Sequence, residues 1–330
     1  MAEGSTREIN YLRISVTDRC NLRCLYCMPK EGVSFLGHED ILRYEEILRI
    51  VAIAVRTGIL KARVTGGEPL ARKGIADFLR RLHEIHGLHD ISLTTNGTLL
   101  EACAEPLRDA GLKRINISLD SLVAEKYRTI TRGGNLDAVM RGIAAAERAG
   151  FSPVKINVVA IRGFNDDEIL DFARLTLDHP FQVRFIEFMP IGNVSLAGGF
   201  TYYPNDEIKK KIETLRPLAA VTPNSLNTNG PARIYRMEGA AGEIGLISAM
   251  SHRFCDSCNR LRLTADGHLR TCLLSDDELD LKKVVRNGCS DGDLEAVIRG
   301  AISEKHRSTL SDRHEVARKK CARGMSAIGG

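Results

Sequence analysis

The sequence predicts an α/β fold made of parallel βαβ units, and three observations predict it. Six short strand-like runs alternate with helical patterns, the loops after those runs carry Gly, Asn, Asp and Cys, and the alternation stops at Pro190. Strand–helix–strand repeats at this spacing form parallel pairs with right-handed crossovers. Six units are too few for a closed eight-fold barrel, so an incomplete (βα)6 barrel and a doubly wound open sheet both fit. Either architecture places its working residues at the C-terminal ends of the strands.

Residues 11–16 read as a strand running into a cysteine loop. Over 44–57, Ile47, Leu48, Val51, Ala54 and Val55 recur at helical spacing, with Gly58 as a stop. The strand Ala62–Thr65 precedes a helical pattern over Gly74–His86. Ile91–Thr94 then leads into an Asn96-Gly97 turn, and the following helical segment is expected to kink or split at Pro106. Strands at Lys113–Leu119, Val154–Ile161 and Val183–Phe188 alternate with helices at Leu136–Ala149 and Asp166–Leu177. Beyond Pro190, Gly, Pro and Asn dominate, with strand-like runs at Ile234–Met237 and Ile244–Ser248. Two domains are expected: a barrel over 1–190 and a loop-rich region over 191–330 that covers its open side.

Composition narrows the function classes. The chain has 330 residues, 43% of them hydrophobic and 5% aromatic, with no Trp, so its core is aliphatic. Nine cysteines and a polar N-terminus without an apolar signal run argue against a disulfide framework. They favour reduced thiols acting as metal ligands in the cytoplasm. The longest apolar run, Ile50 to Val55, is too short to cross a bilayer, so no membrane partner is expected. A net charge of +5 and few aromatic side chains to stack bases argue against a nucleic-acid partner.

Chemistry concentrates in two cysteine triads. Cys20, Cys24 and Cys27 form a C-x3-C-x2-C loop after the first strand. Three thiolates leave one iron of a cubic four-iron cluster open. A structural zinc needs a fourth ligand, and the nearest histidine, His38, lies eleven residues past Cys27. After the second strand comes Thr65-Gly66-Gly67-Glu68-Pro69, whose glycines permit close backbone approach. Later strand ends present Thr94, Ser118, Asp120, Asn157 and Met189.

Arg13, Arg63 and Lys155 are cations on strands that should otherwise face a core. A buried charge needs a counter-charge, so these three are expected to line a site for a phosphorylated ligand. The second triad is Cys255, Cys258 and Cys272, and an Asp266-Gly267 hairpin turn brings Cys272 back beside the other two. A Cys3His zinc site using His252 or His268 and a second open-iron cluster both fit that spacing. Arg260 and Arg262 share one face of the hairpin strand and suit phosphates or a guanine edge.

The C-x3-C-x2-C motif with Tyr26 before its third cysteine resembles the radical S-adenosylmethionine (SAM) superfamily, and Gly66-Gly67-Glu68 resembles that superfamily's GGE motif. Both triads, with Asn259-Arg260-Leu261-Arg262, resemble the GTP 3′,8-cyclase family of molybdenum cofactor biosynthesis, from Arg13 to the terminal Ile328-Gly329-Gly330. The resemblance implies an incomplete (βα)6 TIM-type barrel with a C-terminal iron–sulfur extension. It implies two [4Fe–4S] clusters: one on Cys20, Cys24 and Cys27 that binds SAM, with Tyr26, Gly67, Ser118 and Met189 around it, and one on Cys255, Cys258 and Cys272 whose free iron takes guanine. Arg13, Arg63, Thr94, Lys155, Arg260, Leu261 and Arg262 would hold GTP, Leu261 through its backbone alone, with its side chain replaceable.

Arg260, Arg262, Gly329 and Gly330 would be needed for turnover, the tail reaching into the active site. The implied reaction is a lyase-type cyclisation: a 5′-deoxyadenosyl radical takes the ribose 3′ hydrogen, C3′ closes on C8, and an electron and a proton complete the product. That product is (8S)-3′,8-cyclo-7,8-dihydroguanosine 5′-triphosphate, passed to a cyclic pyranopterin monophosphate synthase. An electron-donor protein and a second copy of the chain, in a homodimer, are the other implied partners. Cys103, Cys289 and Cys321 are scattered and read as ordinary thiols.

Overall fold

A computed structural model describes residues 8–189, 191–192, 201–222, 230–307 and 321–329. The six expected strands are β1 (Tyr11–Ser15), β2 (Lys61–Thr65), β3 (Asp90–Thr95), β4 (Arg114–Ser118), β5 (Val154–Arg162) and β6 (Gln182–Glu187), and they run parallel in that order. Helices α1 (Tyr44–Arg56), α2 (Ile75–His83), α3 (Leu100–Asp109), α4 (Ala124–Thr131), α5 (Leu136–Arg148) and α6 (Ile169–Asp178) connect them. Pro106 neither splits nor ends α3. It removes one backbone bond, and the buried side chains of Leu100, Ala104 and Leu107 hold the helix as one piece.

Alternation along each strand separates two environments. Leu12, Ile14, Ala62, Val64, Ile91, Leu93, Ile115, Ile117, Ile156, Val183 and Phe185 are buried in the aliphatic core. Each of these side chains larger than alanine contributes about 1.5–3 kcal/mol when fully buried. The other face of the same strands is polar, and the register lines it up: Arg262, Arg13, Arg63 and Ser92 are successive partners across four strands. Asn116, Lys155 and Gln182 form a comparable row on the far strands. Partners in register point the same way, so the sheet wraps its polar face inward around a lumen.

The C-terminal half does more than cover an open side. Strand β10 (Glu243–Ile247) pairs parallel with β6, and β11 (Arg260–Leu263) pairs parallel with β1. Both edges of the six-stranded unit are thereby extended within one sheet, since an unpaired edge leaves a row of backbone groups unsatisfied. Beyond them lie β9 (Arg233–Met237) and β8 (Leu218–Ala220) on one side, and β12 (His268–Arg270) and β13 (Glu278–Asp280) on the other. The Asp266-Gly267 turn closes the expected β11–β12 hairpin, with Gly267 at φ 85°. A two-stranded contact of β7 (Thr201–Tyr202) with β5 and helices α7 (Asn205–Glu213), α8 (Leu281–Arg286), α9 (Asp291–Arg307) and α10 (Met325–Ile328) complete the described elements. Among the described residues no helix is long and apolar enough to cross a membrane.

Candidate functional site

The first triad sits just past the C-terminal end of β1. Its loop is pinned to the end of α4: Arg23 N–H donates to the Thr131 carbonyl (3.1 Å) and Leu25 N–H to that of Ile130 (2.8 Å). Arg132, in the left-handed region at φ 54°, donates from Nη1 to the carbonyls of Arg23 (3.1 Å) and Met28 (2.8 Å). All three cysteines are half-buried. Burial pushes Cys24 well up, aided by the charges of Cys27, Asp120 and Cys20, and burial with Cys20 pushes Cys27 to about 12. Cys24 and Cys27 thus each feel the charge of another cysteine of the loop, a repulsion that a multivalent cation would relieve. Cys20 Sγ already accepts from Leu22 N–H (3.4 Å) and Asn96 Nδ2 (3.8 Å), which orients it.

Gly67 backs onto this loop. Its N–H donates to the Thr17 carbonyl (2.7 Å), and a Cβ there would overlap the Arg19 carbonyl. Glu68 is fully buried and accepts from Leu70 N–H (3.0 Å), Thr95 Oγ1 (2.7 Å) and Asn96 N–H (2.7 Å). Burial still lifts its carboxyl to about 7. Tyr26 donates its hydroxyl to Asp120 (2.6 Å), whose own carboxyl burial raises to about 6. Ser118 closes β4 beside Asn157, and Met189 packs on Ile191, Cys321 and Ile328.

The second triad lies at the other end of the lumen. Tyr11, the first residue of β1, pairs with Arg260, so Cys258 sits two residues below the N-terminal rim while Cys20 follows the opposite end. Between them runs β1, which at about 3.3 Å per residue is about 13 Å long. Burial raises Cys255, and the charges of Cys272 and Cys258 add to the rise. Neither candidate zinc histidine turns to them: His268 Nδ1 lies 3.2 Å from Asp266 and His252 Nε2 3.8 Å from Asp206. Among the described residues no three His, Cys, Asp or Glu side chains surround a single metal-ion position.

Between the triads stand the cations. Burial lowers Arg13 well below its ordinary value, aided by Arg262 and Arg63; it takes Arg262 to about 10 and Lys155 to about 6. Arg63 donates to Ser92 Oγ (3.2 Å) and lies 5.6 Å from the Tyr11 ring centroid, and Arg260 lies 5.1 Å from that of Phe254. Thr94 Oγ1 is buried with no hydrogen-bond partner, an exception among buried polar atoms. A cavity of about 840 Å³ opens at the N-terminal rim against Lys155, Arg233 and His252, and a smaller one of about 170 Å³ lies against Arg63, Cys258 and Arg260. Phe254 and Ser257 line both.

The rule of C-terminal strand ends therefore finds only the upper part of this site. It locates the cysteine loop, Gly67, Thr94, Ser118 and Met189. Arg13 and Arg63 are instead mid-strand and Lys155 is the second residue of β5, deep in the lumen rather than at strand tips. Leu261 is 0% exposed in the main core, so its side chain is not freely replaceable. Leu261→Ala should destabilise the protein by about 2–5 kcal/mol, read from a denaturant melt. Gly329 reaches the lumen: its carbonyl accepts from Arg262 Nη1 (3.2 Å) and Thr65 Oγ1 (3.4 Å). Gly330 lies outside the described residues.

Two cations escaped the sequence reading. Arg184, 2% exposed, is held by Gln182 Oε1 (2.6 Å), and burial lowers it to about 9. The signal was there, since it alternates with Val183 and Phe185 as Lys155 does with its neighbours. Lys305, in the last turn of α9, donates to Cys258 Sγ (3.7 Å), to the Arg260 carbonyl (2.7 Å) and to that of Thr271. Burial raises Cys258, but Arg260 and Lys305 outweigh it and draw its thiol down to about 6.

A parallel barrel with a three-cysteine loop at its C-terminal rim is the architecture of one enzyme class: residues 14–176 match the Radical SAM superfamily, and residues 181–310 match Molybdenum Cofactor Synthesis C. Streptococcus suis SuiB bound to S-adenosylmethionine shares the fold at a TM-score of 0.59 and 14% identity, over 88% of this chain and 68% of that one. The GTP 3′,8-cyclase of Moorella thermoacetica is 52% identical over 330 residues, 100% of both chains. That of Pelotomaculum thermopropionicum is 51% identical over 332 residues, again 100% of both. The chain belongs to the GTP 3′,8-cyclase family of the radical SAM superfamily. Membership of that superfamily implies a [4Fe–4S] cluster and SAM, and three half-buried thiols on one loop, with Cys20 Sγ held by two N–H donors, fit such a cluster.

Proposed function

We propose that this protein is a GTP 3′,8-cyclase of molybdenum cofactor biosynthesis, a lyase that turns GTP into (8S)-3′,8-cyclo-7,8-dihydroguanosine 5′-triphosphate. The observation that carries the reading is the in-register row Arg262, Arg13 and Arg63 lining a lumen with a cysteine triad at each end. When bound at Cys20, Cys24 and Cys27, the cluster and SAM supply the deoxyadenosyl radical that takes the ribose 3′ hydrogen. Tyr26, Gly67, Ser118 and Met189 shape the SAM pocket, Gly67 by presenting backbone where a side chain would not fit.

Cys255, Cys258 and Cys272 hold a second [4Fe–4S] cluster that orients guanine. Arg13, Arg63, Thr94, Lys155, Arg260, Arg262 and the Leu261 backbone bind the rest of GTP, neutralising its phosphates and fixing the ribose toward the C-terminal rim. Such fixation is worth several kcal/mol of barrier, because the reacting atoms are held in contact. Gly329 and Gly330 close the lumen beside Arg262. Residues 1–190 form the radical SAM partial barrel, and 191–330 form the C-terminal region that carries the second cluster and the Gly-Gly tail. The protein works in the cytoplasm as a homodimer, draws electrons from a donor protein and hands its product to a cyclic pyranopterin monophosphate synthase.

The test is anaerobic incubation with SAM, a reductant and each nucleoside triphosphate in turn. The expected outcome is 5′-deoxyadenosine release together with a cyclised guanosine nucleotide, from GTP alone. Iron analysis should return about eight irons per chain; about two zincs and no nucleotide product would reject the reading.

A further inference from the structure

The tail carries a feature that the cluster and nucleotide sites do not use. Three carboxylates, Asp266, Asp276 and Glu278, lie beside the β11–β13 strands and receive donors from three consecutive tail residues. Cys321 Sγ (3.4 Å) and Ala322 N–H (3.1 Å) donate to Asp276 Oδ1. Arg323 Nη1 reaches both Glu278 oxygens at 3.0 Å, and its Nη2 pairs with Asp266. Beneath them Arg270 is 0% exposed, bonded to Glu278, to the Ser275 carbonyl and to Cys321 Sγ (3.2 Å). One partner of the most deeply buried guanidinium is thus supplied by the tail itself.

From this anchor the chain has little slack. Gly192 N–H donates to the Cys321 carbonyl (3.1 Å), and a Cβ on Gly192 would come within 3.0 Å of Gly324 Cα. Three residues past Arg323, Ser326 is 3% exposed. Three further on, Gly329 takes φ 72°, where a Cβ would press within 2.7 Å of Ser15 Cβ. The anchor therefore sets the place of a carbonyl that contacts Arg262.

We propose that Arg323 is a positioning residue: its two-carboxylate clamp onto Asp266 and Glu278 latches the tail so that Gly329 meets Arg262 and Thr65. This rests on the proposed cyclase reading for its kinetic consequence, but not for the latch itself. With the tail docked, two guanidinium groups face three carboxylates, and without it Arg270 alone does, so releasing Arg323 leaves Asp266 and Glu278 less compensated.

The experiment compares the holoenzyme with Arg323→Gln and Arg323→Lys by hydrogen–deuterium exchange over 321–330 and by steady-state kinetics. In Arg323→Gln, exchange at Ser326 should rise at least tenfold and kcat for cyclised nucleotide should fall at least tenfold. KM for GTP should change less than threefold and iron content should be unaltered. Arg323→Lys, which keeps a charge but not the fork, should recover part of both. Unchanged exchange in Arg323→Gln, wild-type kcat with a released tail, or iron lost in step with activity would each overturn the latch. If wild-type protein makes no cyclised nucleotide, the cyclase reading fails, and the exchange result alone still decides whether Arg323 latches the tail.

Discussion

The two cysteine triads have the same chemistry in opposite electrostatic surroundings. At Cys20 and Cys24 the side-chain carboxylates push with burial: burial raises Cys20 with Glu68 adding to it, and Asp120 adds to the rise at Cys24. At Cys258 cations push the other way, and Arg260 and Lys305 outweigh burial. The contrast matches the two proposed ligands. SAM carries a sulfonium, which a carboxylate-flanked rim favours, while GTP carries a triphosphate, which a guanidinium-lined one favours. One barrel can hold a cation and an anion end to end because the strand length keeps their fields apart.

The largest effects should come from breaking each triad alone. Cys24→Ser should abolish both deoxyadenosine release and nucleotide cyclisation. Cys258→Ser should abolish cyclisation while leaving measurable deoxyadenosine release from SAM and reductant, scored by chromatography. If Cys258→Ser also silences SAM cleavage, the triads are not separable and the comparison breaks.

Next is the nucleotide end. Lys155→Met removes an amine that a bound triphosphate would charge and should weaken GTP binding about 10- to 100-fold, since truncating one partner of a buried charge pair costs a few kcal/mol. SAM affinity should stay within twofold, measured by equilibrium dialysis. A matching loss of SAM binding would show that the two ligand fields are not independent.

How much of this contrast could be read from the sequence follows its physics. The triads and the strand alternation are local patterns, so spacing reveals them. Arg13, Arg63 and Lys155 stand out because a cation amid β-branched neighbours has no other reason to be there. Which strands lie side by side is not local: β11 joins β1, and β10 joins β6, through pairings that span more than 240 and about 60 residues respectively. The layered row Arg262–Arg13–Arg63 appears only with that register. Lys305 and Arg323 were hidden for the same reason, because each lies in a basic stretch that reads as a solvated surface until its carbonyl and carboxylate partners are brought to it.

Lys305→Met tests that hidden contact directly. It leaves the Arg260 and Thr271 carbonyls without their donor, at a cost of about 1–3 kcal/mol. The expected outcome is a lower melting temperature and iron falling from about eight toward about four per chain, with deoxyadenosine release kept. Loss of the SAM-cleaving activity instead would place Lys305 in service of the wrong end of the lumen.

The smallest effect is a proton. Burial, then Arg184, Arg114 and Arg63, depress Lys155 from 10.5 to about 6, with Asp90 the opposing charge. The unfolded chain thus binds a proton that the folded chain does not between about pH 6 and 10.5, so ligand-free stability rises with pH across that window. The contribution is lost as pH falls through about 6. At neutral pH the amine is largely uncharged, and a triphosphate beside it restores the charge, so GTP binding should take up close to one proton. Calorimetry of binding in buffers of different ionisation enthalpy reads that number as a slope. Lys155→Met should flatten it, and an unchanged slope in the variant would assign the proton to another group and remove Lys155 from the phosphate site.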